Sequence, residues 1–150
     1  MTDIRNYIKI ARPDHWGRNI VIIPGAIIVA SFESISFSEF AYTLLIGFIS
    51  TCFLSSANYV INEWLDAKFD RYHPQKRFRP SVSGALKPYA VYIEYICLAL
   101  FGLIIAVSIS IPFFFAACFF LIMGLLYNAQ PFRTKDIVIL DVLSEAINNP

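Results

Sequence analysis

The sequence predicts an all-α protein, a polytopic transmembrane helix bundle with four full spans, the start of a fifth and an interfacial helix at its N-terminus. Three observations carry that expectation. Hydrophobic residues make up 57% of the 150 and charged residues only 15%, against about 25% charge in an average soluble domain. The charges are clustered, which leaves long uncharged runs, and the mean hydropathy is +0.60. Finally, the twelve Lys and Arg fall in three segments, 5–18, 68–87 and 133–135, while the connections near 33–39 and 110–112 hold none. Four spans put the three basic segments on one side of a bilayer and the bare connections on the other. The positive-inside rule makes the basic side cytoplasmic. A net charge of +1 singles out no partner by itself, and no nucleic-acid partner is expected.

Each element has its own signal. Residues 1–11 place Ile4, Tyr7, Ile8 and Ala11 on one helical face and Arg5 and Lys9 elsewhere, with Pro13 as the stop. A short amphipathic helix on the membrane surface fits this pattern. The next stretch, A-R-P-D-H-W-G-R-N, puts Trp16 at headgroup depth with Arg12 and Arg18 free to snorkel. His15 has no ligand cluster around it. Residues 19–32 are short for a span needing about 20 residues, so this helix is expected from near His15 to about Ser34. A cleavable signal peptide does not fit, because eighteen residues including Asp3 and Asp14 precede the apolar run and Pro24-Gly25 interrupts it.

Residues 40–62 form the second span, in which Gly47, Ser50, Ser55, Ser56 and Ala57 are small enough for close helix contact. Residues 89–109 form the third, with Glu94 in its early turns. Ser110 and Pro112 mark a reversal, and residues 113–128 form the fourth. Residues 137–150 begin a fifth, with Asp141, Glu145 and Asn148 at i, i+4 and i+7. Acids at membrane depth cost about 2.5–3.5 kcal/mol each, so this stripe should face a polar cavity. Cys52, Cys97 and Cys118 fall singly in apolar runs and read as small buried hydrophobes, not as a disulfide framework or a metal site.

The chemistry concentrates in residues 58–87, NYVINEWLDAKFDRYHPQKRFRPSVSGALK. Asn58, Asn62, Asp66 and Asp70 recur every fourth residue and form one polar stripe if the segment is helical. Pro74 cuts the stripe, and Lys76, Arg77 and Arg79 follow in a loop that closes at Gly84. Carboxylates about 6 Å apart on a helix repel by about 3 kcal/mol at an effective dielectric near 20. Keeping both ionised calls for a cation beside them. Oxygen ligands with an Asn carbonyl nearby suit Mg²⁺, a hard ion that completes its shell with water and substrate phosphates. The basic loop then supplies a grip on those phosphates. Spacing alone leaves open a solvated helix end whose acids pair locally with Lys68 and Arg71.

The same residues resemble a family. N-E-W-L-D-A-K-F-D followed by H-P-Q-K-R-F-R-P-S-V-S-G is similar to the first aspartate-rich motif of UbiA-type intramembrane prenyltransferases, N-D-x-x-D-x-x-x-D, with its trailing R-P-x-x-S-G. Glu63 stands where that family usually has Asp, which puts a metal role at this position in question. The H-P-x-K-R-x-R-P form, and R-P-x-x-W-x-x-N at residues 12–19, are closest to the branch that moves phosphoribosyl onto polyprenyl phosphate. Tyr127, Arg133 and Lys135 in Y-N-A-Q-P-F-R-T-K-D resemble the residues that help fix the departing diphosphate, although Tyr127 could equally be an interfacial belt residue and the cations topogenic.

What the resemblance implies is a transferase with a cavity open to the cytoplasmic side of a membrane, in a bacterium the cytoplasmic membrane. It would move a prenyl group from a prenyl diphosphate to an acceptor, or 5-phosphoribosyl from phosphoribosyl diphosphate to polyprenyl phosphate. Asn62, Asp66 and Asp70 would hold Mg²⁺. Asp66, Asp70, Lys76, Arg77, Arg79, Tyr127 and Lys135 are the catalytic candidates, and Asn58, Asn62, Arg71, Arg133, Asp141 and Glu145 the substrate-binding ones. The partners implied are an isoprenoid lipid and a diphosphate donor. Members of the family usually carry a second aspartate-rich motif in a later half. Asp136 and Asp141 make no convincing copy of it, so residues 1–150 are expected to be the N-terminal part of one longer domain, inactive when isolated. The rival from another class is a non-catalytic transporter or assembly component whose acids line an ion path.

Overall fold

The computed structural model describes residues 3–32 and 35–137. Within them the chain runs α1 (Ile4–Ala11), a 3₁₀ stretch (Pro13–Val21), α2 (Ile22–Phe32), α3 (Phe37–Asp70), a 3₁₀ turn (Lys76–Phe78), α4 (Pro88–Ile109), α5 (Ile111–Asn128) and a last 3₁₀ turn (Thr134–Asp136). No strand occurs among the described residues. Four helical segments there are long and apolar enough to cross a membrane. The expected fifth span, with Asp141, Glu145 and Asn148, lies outside the described residues.

Helix α3 is the axis on which the others pack, and its length decides where the chemistry sits. Its 34 residues reach about 51 Å at the helical rise, against a hydrocarbon core of about 30 Å. The span expected over 40–62 is therefore only the inner part of one continuous helix. The turns beyond it carry Asp66 and Asp70. Ser36 caps the start, its hydroxyl accepting from the Glu39 amide at 3.3 Å.

Gly47, Ser50, Ser55, Ser56 and Ala57 are all buried. Ser50 Oγ donates to the Gly102 carbonyl of α4 at 2.8 Å, and this close crossing needs a residue without a Cβ at 102, where one would meet Leu54 Cδ2 at 2.6 Å. Leu54, Ala57, Ala99, Ala106, Ala117 and Leu121 form the core between α3, α4 and α5. Ser110 makes the reversal, donating its amide to Ala106 and accepting from the Phe113 amide.

The expected face of α1 and the expected burial of the cysteines need correction. The inward face of α1 carries Tyr7, Ile10 and Ala11, which pack with Val60, Trp64, Leu86 and Val91, whereas Ile4 and Ile8 are 71% and 54% exposed. The helix thus docks on the bundle through a face offset from the apolar one read in the sequence. Among the cysteines only Cys52 is buried, Cys118 is partly covered and Cys97 is exposed. Lipid accepts apolar side chains as readily as protein does, so apolarity does not mark an inward position here.

The first span is not one α-helix. Arg12 takes a left-handed conformation, φ 49°, Pro13 follows, and the chain enters a nine-residue 3₁₀ stretch before the eleven residues of α2. At rises of about 2.0 and 1.5 Å per residue these reach about 34 Å, enough to cross. Trp16 Nε1 donates to Ser56 Oγ at 2.9 Å, and Asn19 Nδ2 donates to Ser55 Oγ at 3.0 Å and to Cys52 Sγ at 3.4 Å. These ties hold the tight stretch on α3. Helix α2 beyond them has no buried residue.

Candidate functional site

The polar end of α3 meets two other segments. Asn62, Asp66 and Asp70 lie one turn apart on one face because four residues nearly complete a helical turn. The loop after α3 folds back through the Lys76–Phe78 turn, bringing Lys76 and Arg79 to Asp70. The segment after α5 brings Arg133 and Lys135 to Asp66. Asn62, Asp66, Phe69, Asp70, Lys76, Tyr127, Arg133 and Lys135 line a cavity of about 400 Å³, with Arg79 held beside it by its bond to Asp70.

Each carboxylate carries two cations. Arg79 Nη1 donates to Asp70 Oδ2 at 2.6 Å and Lys76 Nζ lies 3.9 Å from Oδ1. Arg133 Nη2 donates to Asp66 Oδ1 at 3.1 Å and Lys135 Nζ to the same oxygen at 2.5 Å. Lys135 also donates to Asn62 Oδ1 at 3.4 Å and Asn128 Oδ1 at 2.8 Å. Among the described residues, then, four cations meet two carboxylates, an excess of positive charge in a polar cavity. That balance suits a ligand with several negative charges.

The local pairing of the acids with Lys68 and Arg71 does not occur. Lys68 Nζ sits 4.9 Å over the ring of its neighbour Phe69, and Arg71 is exposed. Arg77 lies outside the cavity lining, its guanidinium 4.7 Å above the Phe78 ring. Asn58 is deeper in the bundle, donating to the Phe120 carbonyl at 3.4 Å. Asp141 and Glu145 lie outside the described residues. Two residues at the site had no signal read from them in the sequence, Phe69 in the cavity lining and Asn128 behind it on Lys135. Phe69 presents its ring 4.0 Å from the Arg133 guanidinium carbon, a cation–π contact that orients it. Asn128 is buried at the end of α5, where it donates to the Gly124 carbonyl at 2.9 Å. A lone amide closing an uncharged span was the available clue.

Glu63, on the same helix, is not part of the lining. It is 5% exposed and bonded to Arg12 and Ser81.

The donor set fits a hard divalent cation. Two carboxylates and the Asn62 carbonyl are oxygen ligands of the kind Mg²⁺ accepts, and it commonly takes one or two carboxylates with the remainder from water and phosphate. The Lys135 ammonium already bridges Asn62 Oδ1 and Asp66 Oδ1, so those oxygens converge on a cation-sized position. No cluster of three or more His, Cys, Asp or Glu in metal-binding array occurs among the described residues. A cation here would therefore depend on ligand oxygens to complete its shell.

Comparison with known proteins gives a consistent result. A model of the UbiA prenyltransferase family matches residues 20–147. A decaprenyl-phosphate phosphoribosyltransferase from Mycolicibacterium smegmatis is 27% identical over 143 residues, 93% of this chain and 43% of that protein. One from Corynebacterium glutamicum is 34% identical over 106 residues, 71% of this chain and 30% of that protein. The solved structure of a UbiA homolog from Archaeoglobus fulgidus bound to GPP and Mg²⁺ superposes with a TM-score of 0.75 at 23% identity, over 96% of this chain and 50% of that one. That likeness establishes the fold. The chain spans half or less of the length of each of these proteins.

Proposed function

The chain belongs to the UbiA prenyltransferase family, and from that premise we propose that it carries the donor-diphosphate half of a membrane-embedded transferase. The reaction at family level is transfer of a prenyl group from a prenyl diphosphate to an acceptor, with diphosphate leaving. The observation that carries this reading is the meeting of Asp66 and Asp70 with Lys76, Arg133 and Lys135 in one cavity at the helix ends, with Arg79 paired to Asp70 beside it, so that the cations come from two separate connections.

Asn62, Asp66 and Asp70 are the residues that would hold Mg²⁺, which when bound supplies Lewis-acid stabilisation of the diphosphate oxygens. Lys76 and Arg79 approach from one side and Arg133 and Lys135 from the other. They neutralise the charge that builds on the diphosphate as its bond to carbon breaks, and such preorganised charge is where a site lowers the barrier most. Phe69 keeps the Arg133 guanidinium in place, and the Tyr127 ring at the cavity wall lies 5.4 Å from Lys135 Nζ. The bundle beside the cavity gives an isoprenoid tail an apolar path and keeps water from the reacting carbon. We place the cavity on the cytoplasmic side of a bacterial cytoplasmic membrane, from the positive charge of its segments. In the full-length protein, the further chain that the relatives possess would complete the site.

A second reading is favoured by a specific observation. Both sequence relatives described above are phosphoribosyltransferases acting, by name, with decaprenyl phosphate, and residues 73–80 carry the H-P-x-K-R-x-R-P form. On this reading the donor is phosphoribosyl diphosphate and the lipid is a polyprenyl phosphate. The same cations would serve either leaving group. Membranes carrying the full-length protein, offered each radiolabelled donor in turn, decide between them by which label enters lipid. Asp66→Asn and Asp70→Asn should abolish incorporation from that donor. If both variants keep normal donor binding by calorimetry, the transferase reading falls and a non-catalytic role replaces it.

A further inference from the structure

Glu63 is the third acid of the stretch, and the fold turns it away from the cavity into a buried junction. Both of its oxygens are engaged: Arg12 Nη2 donates to Oε2 at 3.2 Å and Ser81 Oγ donates to Oε1 at 3.3 Å. Arg12 is fixed on its own side, closing α1 in a left-handed conformation with φ 49° and lying 5.5 Å over the Tyr59 ring. Ser81 is fixed on the other. It belongs to a turn in which the amides of Val82 and Ser83 donate to the Arg79 carbonyl at 3.0 and 3.1 Å. Arg79 is the residue that grips Asp70 at 2.6 Å. A continuous set of contacts thus runs from the N-terminal segment through Glu63 to the basic loop.

We propose that Glu63 is a positioning residue that anchors the basic loop through Ser81, holding Arg79 and Lys76 towards the anion cavity, and is not itself a metal ligand. The side-chain length matters to this role. An aspartate, one methylene shorter, would draw the carboxylate back from both partners. A buried carboxylate is costly unless fully paired, and here the one carboxylate joins three chain segments, the N-terminal segment, α3 and the basic loop. The inference rests on the reading of the cavity as a diphosphate site.

The test uses full-length protein in lipid nanodiscs, titrated calorimetrically with inorganic diphosphate at saturating Mg²⁺, and with Mg²⁺ at saturating diphosphate. Glu63→Gln, Glu63→Asp and Ser81→Ala should each raise the diphosphate Kd by about tenfold, as loss of a charge-assisted contact would. The half-saturating Mg²⁺ concentration should stay within about twofold of the parent. Glu63→Gln combined with Ser81→Ala should bind no worse than the weaker single variant, because both break one link.

Two results overturn the inference while leaving the diphosphate site intact. One is a tenfold or larger rise in half-saturating Mg²⁺, about 1.4 kcal/mol, in Glu63→Gln and not in Ser81→Ala, which makes Glu63 a ligand. The other is unchanged diphosphate binding in Ser81→Ala and Glu63→Gln alongside lost thermal stability, which makes the junction structural only. Should a Glu63 variant fail to fold, Ser81→Ala, a single hydroxyl removed from the loop, decides by itself. If Asp66→Asn and Asp70→Asn also leave diphosphate binding unchanged, the site reading fails first.

Discussion

Asp66 and Asp70 are each paired with two cations, and that pairing bears on the order in which ligands would enter. A divalent ion arriving alone must compete with Lys135 for the Asn62 and Asp66 oxygens. A diphosphate arriving alone must compete with the carboxylates for the arginines and lysines. On the proposed reading, with both present each acid would exchange an amino-acid partner for the metal and each cation a carboxylate for phosphate, which would leave no charge unpaired. Mg²⁺ and inorganic diphosphate should therefore bind the full-length protein synergistically, each tightening the other by the same factor of at least about tenfold; independent affinities by calorimetry would sink the exchange. Lys135→Ala should spare folding and lower turnover by about 10²-fold, the usual loss for one preorganised electrostatic group, measured as initial rate at saturating donor. The acids themselves were legible as a four-residue repeat. Lys76 and Arg79, the cations on Asp70, were legible as the basic loop that follows the stripe. Arg133 and Lys135 were legible only through the family resemblance, because spacing offered Lys68 and Arg71 as partners and only tertiary packing brings a segment from beyond α5 to Asp66.

At the level of elements, α3 joins the membrane layer to the site, and its crossings set how firmly the site is held. Gly124 faces Asn58, into which a Cβ would run, and Asn58 donates to Phe120 of the same helix α5. Gly124→Ala should cost about 1–3 kcal/mol by overpacking, read as a lower unfolding midpoint in detergent, and should disturb the Asn128 end of α5. The 3₁₀ stretch depends on polar ties instead. Trp16→Phe removes the bond to Ser56 Oγ and should cost about 1 kcal/mol, seen as faster hydrogen exchange over residues 13–32 with α4 unchanged. An unchanged exchange rate would mean that the tie contributes nothing. The spans were readable because apolar runs of membrane length have few other uses. The inward face of α1 and the split first span were not, since lipid and protein interior reward the same side chains. What distinguished the faces was Arg12, Trp16 and Asn19 finding Glu63, Ser56 and Ser55, and pairing between distant segments leaves no periodic trace.

For the molecule as a whole, the helices alternate direction, so charge and chemistry are sorted to one end. Arg12 reaches Glu63, Arg79 reaches Asp70 and Arg133 reaches Asp66, which brings all three basic segments together at the far end of α3 from Ser36. The Ser110 reversal is carried away from them by the length of α4 and α5. About 22 residues of helix, near 33 Å at the helical rise, separate the two ends, which matches the thickness of the apolar layer. The arrangement predicts labelling by a membrane-impermeant maleimide in a variant lacking Cys52, Cys97 and Cys118. Ser83→Cys and Gln130→Cys, both exposed, should react from the same side, and that side should be the cytoplasmic one in inverted vesicles. Ser110→Cys, also exposed, should react only from the other. Labelling of Ser83→Cys and Gln130→Cys from opposite faces would be incompatible with Asp66 and Asp70 sharing one cavity with the cations of both connections, because neither connection could then reach the end of α3 without crossing the bilayer.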